Sequence, residues 1–239
     1  MDQNHTESII PTIRGALARF VPAPTVLVDE SERPESTGAP GAAPLEIAYA
    51  EPAGGADLVY INALHDQRLP ALDALLLGGG FPETHLEPLE ANEGLRRHIR
   101  EAIRDGMPAY AECGGLMYLC DGITWGGKRR AMAGVLPLEV EMSDRPQGRG
   151  YAKVRETPRH PWPGGVSGEL IPCHEFHYSM LVKPGAGHSY AYDVERGYGI
   201  DGRHDGILRH RLLASYVHMR NCARNRWTER FLAYAGDFC

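Results

Sequence analysis

No run in this 239-residue sequence approaches the ~18–20 consecutive apolar residues that a membrane-spanning helix requires. The first ten residues, MDQNHTESII, lack the basic-then-apolar order of a secretory leader. Positive charge is not in excess either: 25 Lys and Arg against 31 Asp and Glu give a net charge of −6, without the basic footprint of a nucleic-acid binder. The five cysteines (113, 120, 173, 222 and 239) are odd in number and contain no CxxC pair. A disulfide framework is therefore not expected, and the default compartment is the reducing cytoplasm. Internal repeats and low-complexity tracts are lacking as well, which sets aside solenoids and fibres. What is present is ordinary for a globular enzyme of small molecules: 43% hydrophobic and 23% charged residues, with many turns implied by 28 Gly and 18 Pro.

Along the chain, Ile9, Ile10, Ile13, Ala16, Leu17 and Phe20 share one helical face. The following stretch to residue 44 carries Pro22, Pro24, Pro34, Pro40 and Pro44 and reads as a linker. The expected organisation is thus an N-terminal helix and Pro-rich linker over 1–44 and a folded domain over 45–239. Within that domain, short apolar strands are expected at Leu45–Tyr49, Ala74–Leu77, Met107–Ala111 and Leu212–Val217. The spacing of Leu95, Ile99, Ala102 and Ile103 predicts a helix over 92–104, stopped by Gly106 and Pro108. A further helix starts around Leu116, residues 131–200 are strand-rich, and Asn225–Tyr234 forms a closing helix. Strands alternating with helices indicate an α/β fold, a doubly wound, mostly parallel sheet flanked by helices, with its ligand beyond the carboxyl ends of the strands.

Three segments carry candidate chemistry. Glu112-Cys113-Gly114-Gly115 sits between a strand and a helix, a sharp turn that exposes a nucleophile above free backbone N–H groups. Taken alone, Cys113 is equally compatible with a buried core thiol. Gly78-Gly79-Gly80, at the end of an apolar strand, offers bare backbone for an oxyanion hole, a phosphate or a simple flexible turn. His218 follows the buried run Ala214–Val217 and would emerge on the same sheet edge, giving the distant Cys and His that thiol catalysis needs. Two other signals are discounted. Gly122–Lys128 has G-x4-G-K spacing, but Arg129 stands where a Ser or Thr should follow, so a hairpin turn is expected. Cys173-His174-Glu175-Phe176-His177 has metal-ligand residue types without a second ligand pair, and no metal site is expected.

The segments LLLGGGFPETHLEPLEANEGLRRHI, AYAECGGLMYLC, CHEFHYS and LLASYVHMR occur in one order and spacing. In these the chain resembles, over roughly residues 45–235, the C-terminal glutamine amidotransferase domain of the cobyrinate or hydrogenobyrinate a,c-diamide synthases. That family belongs to the class I, or triad, amidotransferases, and the resemblance implies a flavodoxin-like fold. It also implies Cys113 as nucleophile, His218 as general base and acid, and backbone around Gly79, Gly80 and Gly114 as the oxyanion site. Glu112, Glu175 and His177 match family positions in the oxyanion and substrate-binding region. Two departures stand out: Arg220 occupies the position two beyond the histidine where class I enzymes commonly carry an acid, and Cys173 stands where the family usually has Gly.

The activity implied is glutamine hydrolysis that supplies ammonia for ATP-dependent amidation of the a and c acetate side chains of a cobyrinate-type tetrapyrrole, in cobalamin biosynthesis. A sirohaem-type ring and a non-catalytic interaction module are the alternatives. The implied partners are glutamine, the corrinoid acceptor and an ATP-binding synthetase domain or subunit. ATP and magnesium belong on that partner, so the chain is expected to be a fragment or one subunit of a split enzyme. Neither nucleic acid nor membrane is an expected partner.

Overall fold

Three consecutive leucines, Leu75–Leu77, are buried on both faces and form β1, which pairs in parallel with β2, Ala109–Glu112. The computed structural model describes residues 56, 59, 61–165, 168–182 and 187–238. The helix and linker expected over 1–44 and the strand expected at Leu45–Tyr49 lie outside the described residues. Between β1 and β2 run a single 3₁₀ turn at Pro82–His85, α1 (Leu86–Ala91) and α2 (Glu93–Arg104). The predicted helix over 92–104 is therefore observed. Asn92 caps it by accepting from the Leu95 N–H, and Leu95, Ile99 and Ile103 form its buried stripe. The turns over 82–91 carry no helical periodicity and were not legible; Pro88 is tolerated because it lies in the first turn of α1, where no N–H is required.

After β2 the chain makes α3 (Gly114–Leu119), only six residues long and wholly buried, and passes directly into β3 (Cys120–Trp125). Lys128–Ala131 is β4, Leu136–Met142 is β5, Gly148–Glu156 is β6, Leu170–His177 is β7 and Ser179–Val182 is β8. Ser189–Arg196, His204–Arg209, Leu212–Ser215 and His218–Met219 are β9 to β12, and α4, Trp227–Gly236, closes the fold. The larger sheet runs β1-β2-β11-β10-β9-β6-β7-β12 and the smaller β4-β3-β5-β8.

The α/β class holds, with the parallel pairing concentrated where a doubly wound sheet would have its centre. β1, β2 and β11 are parallel, whereas the described strands from β11 outward to β12 pair antiparallel. Antiparallel neighbours that follow one another in the chain need only a short turn, whereas parallel neighbours need a crossover. β10 and β11 are joined by His210-Arg211 alone, with His210 at φ 53°. The Gly122–Lys128 stretch is likewise the β3–β4 hairpin, with Trp125 opposite Lys128 and Gly126 and Gly127 at φ 57° and 74°, the signs a type I′ turn demands.

Two apolar clusters cover the two faces of the larger sheet. On β2 the period of two sends Ala109 and Ala111 into the cluster with α2 and α3, and Tyr110 into the other. Tyr110 there packs edge-on against Trp162 (4.9 Å between centroids) and beside Trp227 and Phe231 of α4. The start of α3 is pressed onto β1 and the glycine loop that follows it. A Cβ on Gly115 would collide with the Leu77 carbonyl oxygen and lie 2.8 Å from Leu77 Cβ. Since the obstacle is backbone, Gly115→Ala is expected to cost about 2–3 kcal/mol of unfolding free energy. Chemical denaturation checks this, and an unchanged midpoint at unchanged slope would show that α3 is not clamped to β1.

Candidate active site

Cys113 is the first residue past β2 and has φ 46° and ψ −103°, one of two non-glycine residues with positive φ among those described. Both of its backbone polar groups are held. Its N–H donates to the Ser215 carbonyl of β11 (2.7 Å), and its own carbonyl accepts from the Met117 N–H of α3 (3.0 Å). The strained conformation is thus imposed from a strand on one side and a helix on the other, the arrangement of a nucleophile elbow. The side chain is 5% exposed, with Sγ 3.8 Å from the carbonyl oxygen of Phe176. No side chain caps α3, whose first N–H groups have no intrahelical acceptor.

The glycine loop after β1 lies against this turn and against His218 where Gly114 and Gly79 lack side chains. A Cβ on Gly114 would collide with the carbonyl oxygen of Gly80, and one on Gly79 would stand 2.6 Å from Cε1 of His218. The structure therefore brings together Cys113, His218, Gly79, Gly80 and Gly114, the grouping expected from the sequence. The strand expected over Leu212–Val217 instead ends at Ser215, and His218 opens its own short strand opposite His174 of β7. The intervening turn is pinned by Asp205, a fully buried carboxylate that accepts from the N–H groups of Gly206 (2.8 Å), Tyr216 (3.0 Å) and Val217 (2.9 Å). Burial pushes this acid up to about 6 despite those three donors.

The His218 ring stacks on His174, with centroids 4.8 Å apart and planes 12° from parallel. Its Nδ1 lies 3.6 Å from Oε2 of Glu112. Burial disfavours its charged form, but hydrogen bonds to Cys113 and Glu112 and their negative charge outweigh that, raising the imidazole to about 10. These surroundings favour the imidazolium form of His218. The neighbouring His174 is shifted downward, by partial burial first and then by the charge of His218.

Glu112, Glu175 and His177, expected in the oxyanion and substrate-binding region, are each engaged by other groups of the fold. The Glu112 carboxylate is 2% exposed, and its Oε1 accepts from the Tyr110 hydroxyl (2.6 Å) and the Met219 N–H (2.9 Å). Glu175 is buried and accepts from the N–H groups of Tyr198 (2.7 Å) and Gly199 (2.9 Å). Burial works against its ionised form, but these donors and His177 hold it below the usual carboxylate range. An ionised carboxylate has no proton to offer an oxyanion. His177 is buried, stacked on Tyr216 at 4.0 Å, with its Nδ1–H donating to the Ser179 carbonyl (2.8 Å) and its Nε2 against the Gly148 backbone. Glu175 and His177 are parts of a wall, and the alternation of β7 explains it: Cys173, Glu175 and His177 face in, while His174 and Phe176 face out. The same alternation separates the metal-ligand types of this strand, and among the described residues no three or more His, Cys, Asp or Glu gather as a cation site.

Sequence reasoning missed Tyr110, His174 and Asp205. Only Tyr110 left a signal, since two residues' spacing on a strand puts it on the same face as Glu112. Among the other cysteines, Cys120 and Cys173 are buried and pushed up, mainly by burial, which favours the unreactive thiol.

Comparison with known proteins bears on the family and the fold. The chain is 46% identical over 187 residues to the cobyrinate a,c-diamide synthase of Magnetococcus marinus, covering 77% of this chain and 40% of that protein. It is 43% identical over 180 residues to the enzyme of the same name from Archaeoglobus fulgidus, covering 75% of this chain and 39% of the relative. The chain thus spans about two-fifths of the length of these curated relatives. Among solved structures, a chain in the PurLQS structure from Thermotoga maritima superposes with a TM-score of 0.54 at 14% identity, over 77% of this chain and 87% of that one. A crystal structure of a glutamine amidotransferase superposes with a TM-score of 0.53 at 19% identity, over 76% and 87% of the two chains. At such identities these two speak for the fold alone. Residues 53–225 match the CobB/CobQ-like glutamine amidotransferase domain, and the chain, carrying its paired cysteine and histidine within that match, belongs to that family.

Proposed function

We propose that this chain hydrolyses glutamine at Cys113 and passes the ammonia to an ATP-dependent ligase that amidates the a and c acetate side chains of a cobyrinate-type tetrapyrrole in cobalamin biosynthesis. The observation that carries the reading is the strained Cys113 turn, with the His218 ring packed against the Gly79 backbone beside it. The names of the relatives, cobyrinate a,c-diamide synthases, support the choice of acceptor. An imidazolium beside a thiol favours the thiolate, the nucleophilic form.

The chemistry follows from these positions. The Cys113 thiolate attacks the side-chain amide carbon of glutamine, and the carbonyl π electrons move onto oxygen. That oxyanion is met by backbone N–H groups at the junction of the Gly79-Gly80 loop and the first turn of α3. His218 gives its proton to the amide nitrogen, the C–N bond breaks, ammonia leaves and a glutamyl thioester remains on Cys113. The neutral imidazole then takes a proton from water as that water adds to the thioester. Collapse releases glutamate and restores thiolate and imidazolium, for a net consumption of one water. Gly122–Lys128 does not fit a phosphate cradle, being a hairpin with no helix after it. We assign ATP and magnesium to a synthetase domain or subunit, where ATP would activate the ring carboxylate. No described helix is long and apolar enough to cross a membrane, and a cytoplasmic setting is the one that suits a reactive thiol.

Cys113→Ser is expected to lower glutamate release from glutamine by at least ~10³-fold, the scale on which loss of a triad nucleophile is felt. Amidation of cobyrinate from added ammonium, with a synthetase component present, should be retained because ammonium bypasses the thiol. Loss of both activities would make Cys113 structural.

The histidine yields a second expectation. A ring raised to about 10 in the folded state, above an unfolded value near 6.5, stabilises the fold fully below ~6.5 and loses that contribution as pH rises through about 10. NMR titration of the folded chain should find the His218 ring protonated throughout the neutral range, and Cys113→Ala should bring it down. A ring that titrates near 6.5 beside an intact Cys113 would overturn the ion pair.

A further inference from the structure

We propose that Glu112 is the positioning acid of the cysteine–histidine pair, held in place by the Tyr110 hydroxyl. The inference rests on the reading of His218 as the proton carrier, and it assigns a role to a carboxylate placed directly before the nucleophile in the chain.

A histidine that gives and takes protons at one ring nitrogen needs the other nitrogen engaged, or its tautomer and orientation are not set. The residues following His218 supply no carboxylate for this: Met219 is buried and Arg220 is exposed. Glu112 instead presents Oε2 at 3.6 Å from Nδ1, an ion-pair distance that leaves room to tighten when substrate fills the site. With Nδ1–H directed at Glu112, Nε2 is the nitrogen left to serve Cys113.

The carboxylate is not free to turn away. Its other oxygen is fixed from two independent elements, by the Tyr110 hydroxyl of β2 at 2.6 Å and the Met219 N–H of β12 at 2.9 Å. Tyr110 is in turn immobilised among Trp162, Trp227 and Phe231. The Met219 contact ties the carboxylate to the strand that carries the histidine, so acid and base keep register with one another. Direct geometry also explains why the acid lies beside the nucleophile: Glu112 and Tyr110 share one face of β2, and that face is the one β12 reaches. His174, stacked on His218, is the other titratable ring in contact. It is exposed and donates no negative charge, so it cannot substitute for Glu112.

The test uses the full chain with Glu112→Gln and Tyr110→Phe, the second deleting one hydroxyl and preserving the packed ring. Glutamate release and NMR titration of His218 are measured on both, with thermal melting as the folding check. Glu112→Gln is expected to lower kcat by ~10²-fold or more with KM within about threefold, and to lower the titration of His218 by at least one pH unit. Tyr110→Phe should move both readouts in the same direction by less, about tenfold in kcat. A Glu112→Gln protein that retains kcat within twofold, or whose His218 titrates as in the unmodified chain, overturns the proposal. If Glu112→Gln does not fold, Tyr110→Phe decides by the same two readouts. Should the unmodified chain release no glutamate from glutamine, the glutaminase reading fails, whereas the histidine titration still decides for or against Glu112.

Discussion

Two residues, Tyr216 and Val217, separate β11, which lies beside β2, from β12, which lies at the far described edge of the same eight-stranded sheet. A step from Ser215 to His218 reaches at most ~10 Å, since extended chain covers ~3.3–3.6 Å per residue. A flat sheet of this width could not be joined that way. The sheet therefore has to curl until the β7–β12 edge returns to the carboxyl end of β2, and the Met219 N–H bond to Glu112 marks the place where it does. Asp205 secures the step by collecting the N–H groups of Tyr216 and Val217. The facing of Cys113 by His218 and the parallel stack of His174 on His218 depend on this one turn.

The site built at that junction is polar and almost dry. Glu112, Glu175 and Asp205 are each 3% exposed or less, and each is surrounded by donors. Buried carboxylates left without such partners would carry a prohibitive desolvation cost. The donors are mostly backbone N–H groups, which cannot rotate away, so electrostatics and chain path are fixed together. The same economy shows in three glycines whose missing side chains make room for chemistry. Gly79 admits the edge of the His218 ring, Gly114 admits the Gly80 backbone, and Gly148 admits His177 and Glu175.

Much of this was legible from the residues. The strand–turn–helix around Cys113, the glycine loop after β1, the helix over 92–104 and the hairpin at Gly122–Lys128 all follow from local pattern. The roles of Glu175 and His177 did not. Their proximity in sequence to other site-like residues is undone by strand alternation, which sends each of them into the wall and leaves His174 at the surface beside His218. Asp205 gave no warning, because an acid in a polar stretch such as His204-Asp205-Gly206 resembles any surface turn until the fold buries it.

The sequence by itself determined the elements whose signals are local: hydrophobic periodicity, glycines at turns, and a cysteine where a strand gives way to a helix. Short-range sterics and apolar spacing decide those, and they are written in neighbouring residues. The tertiary structure alone decided which acid faces His218 and where the sheet turns antiparallel. Those outcomes depend on how far the sheet curls and on which groups lose their water together, and both are properties of residues more than a hundred positions apart, as Glu112 and Met219 are.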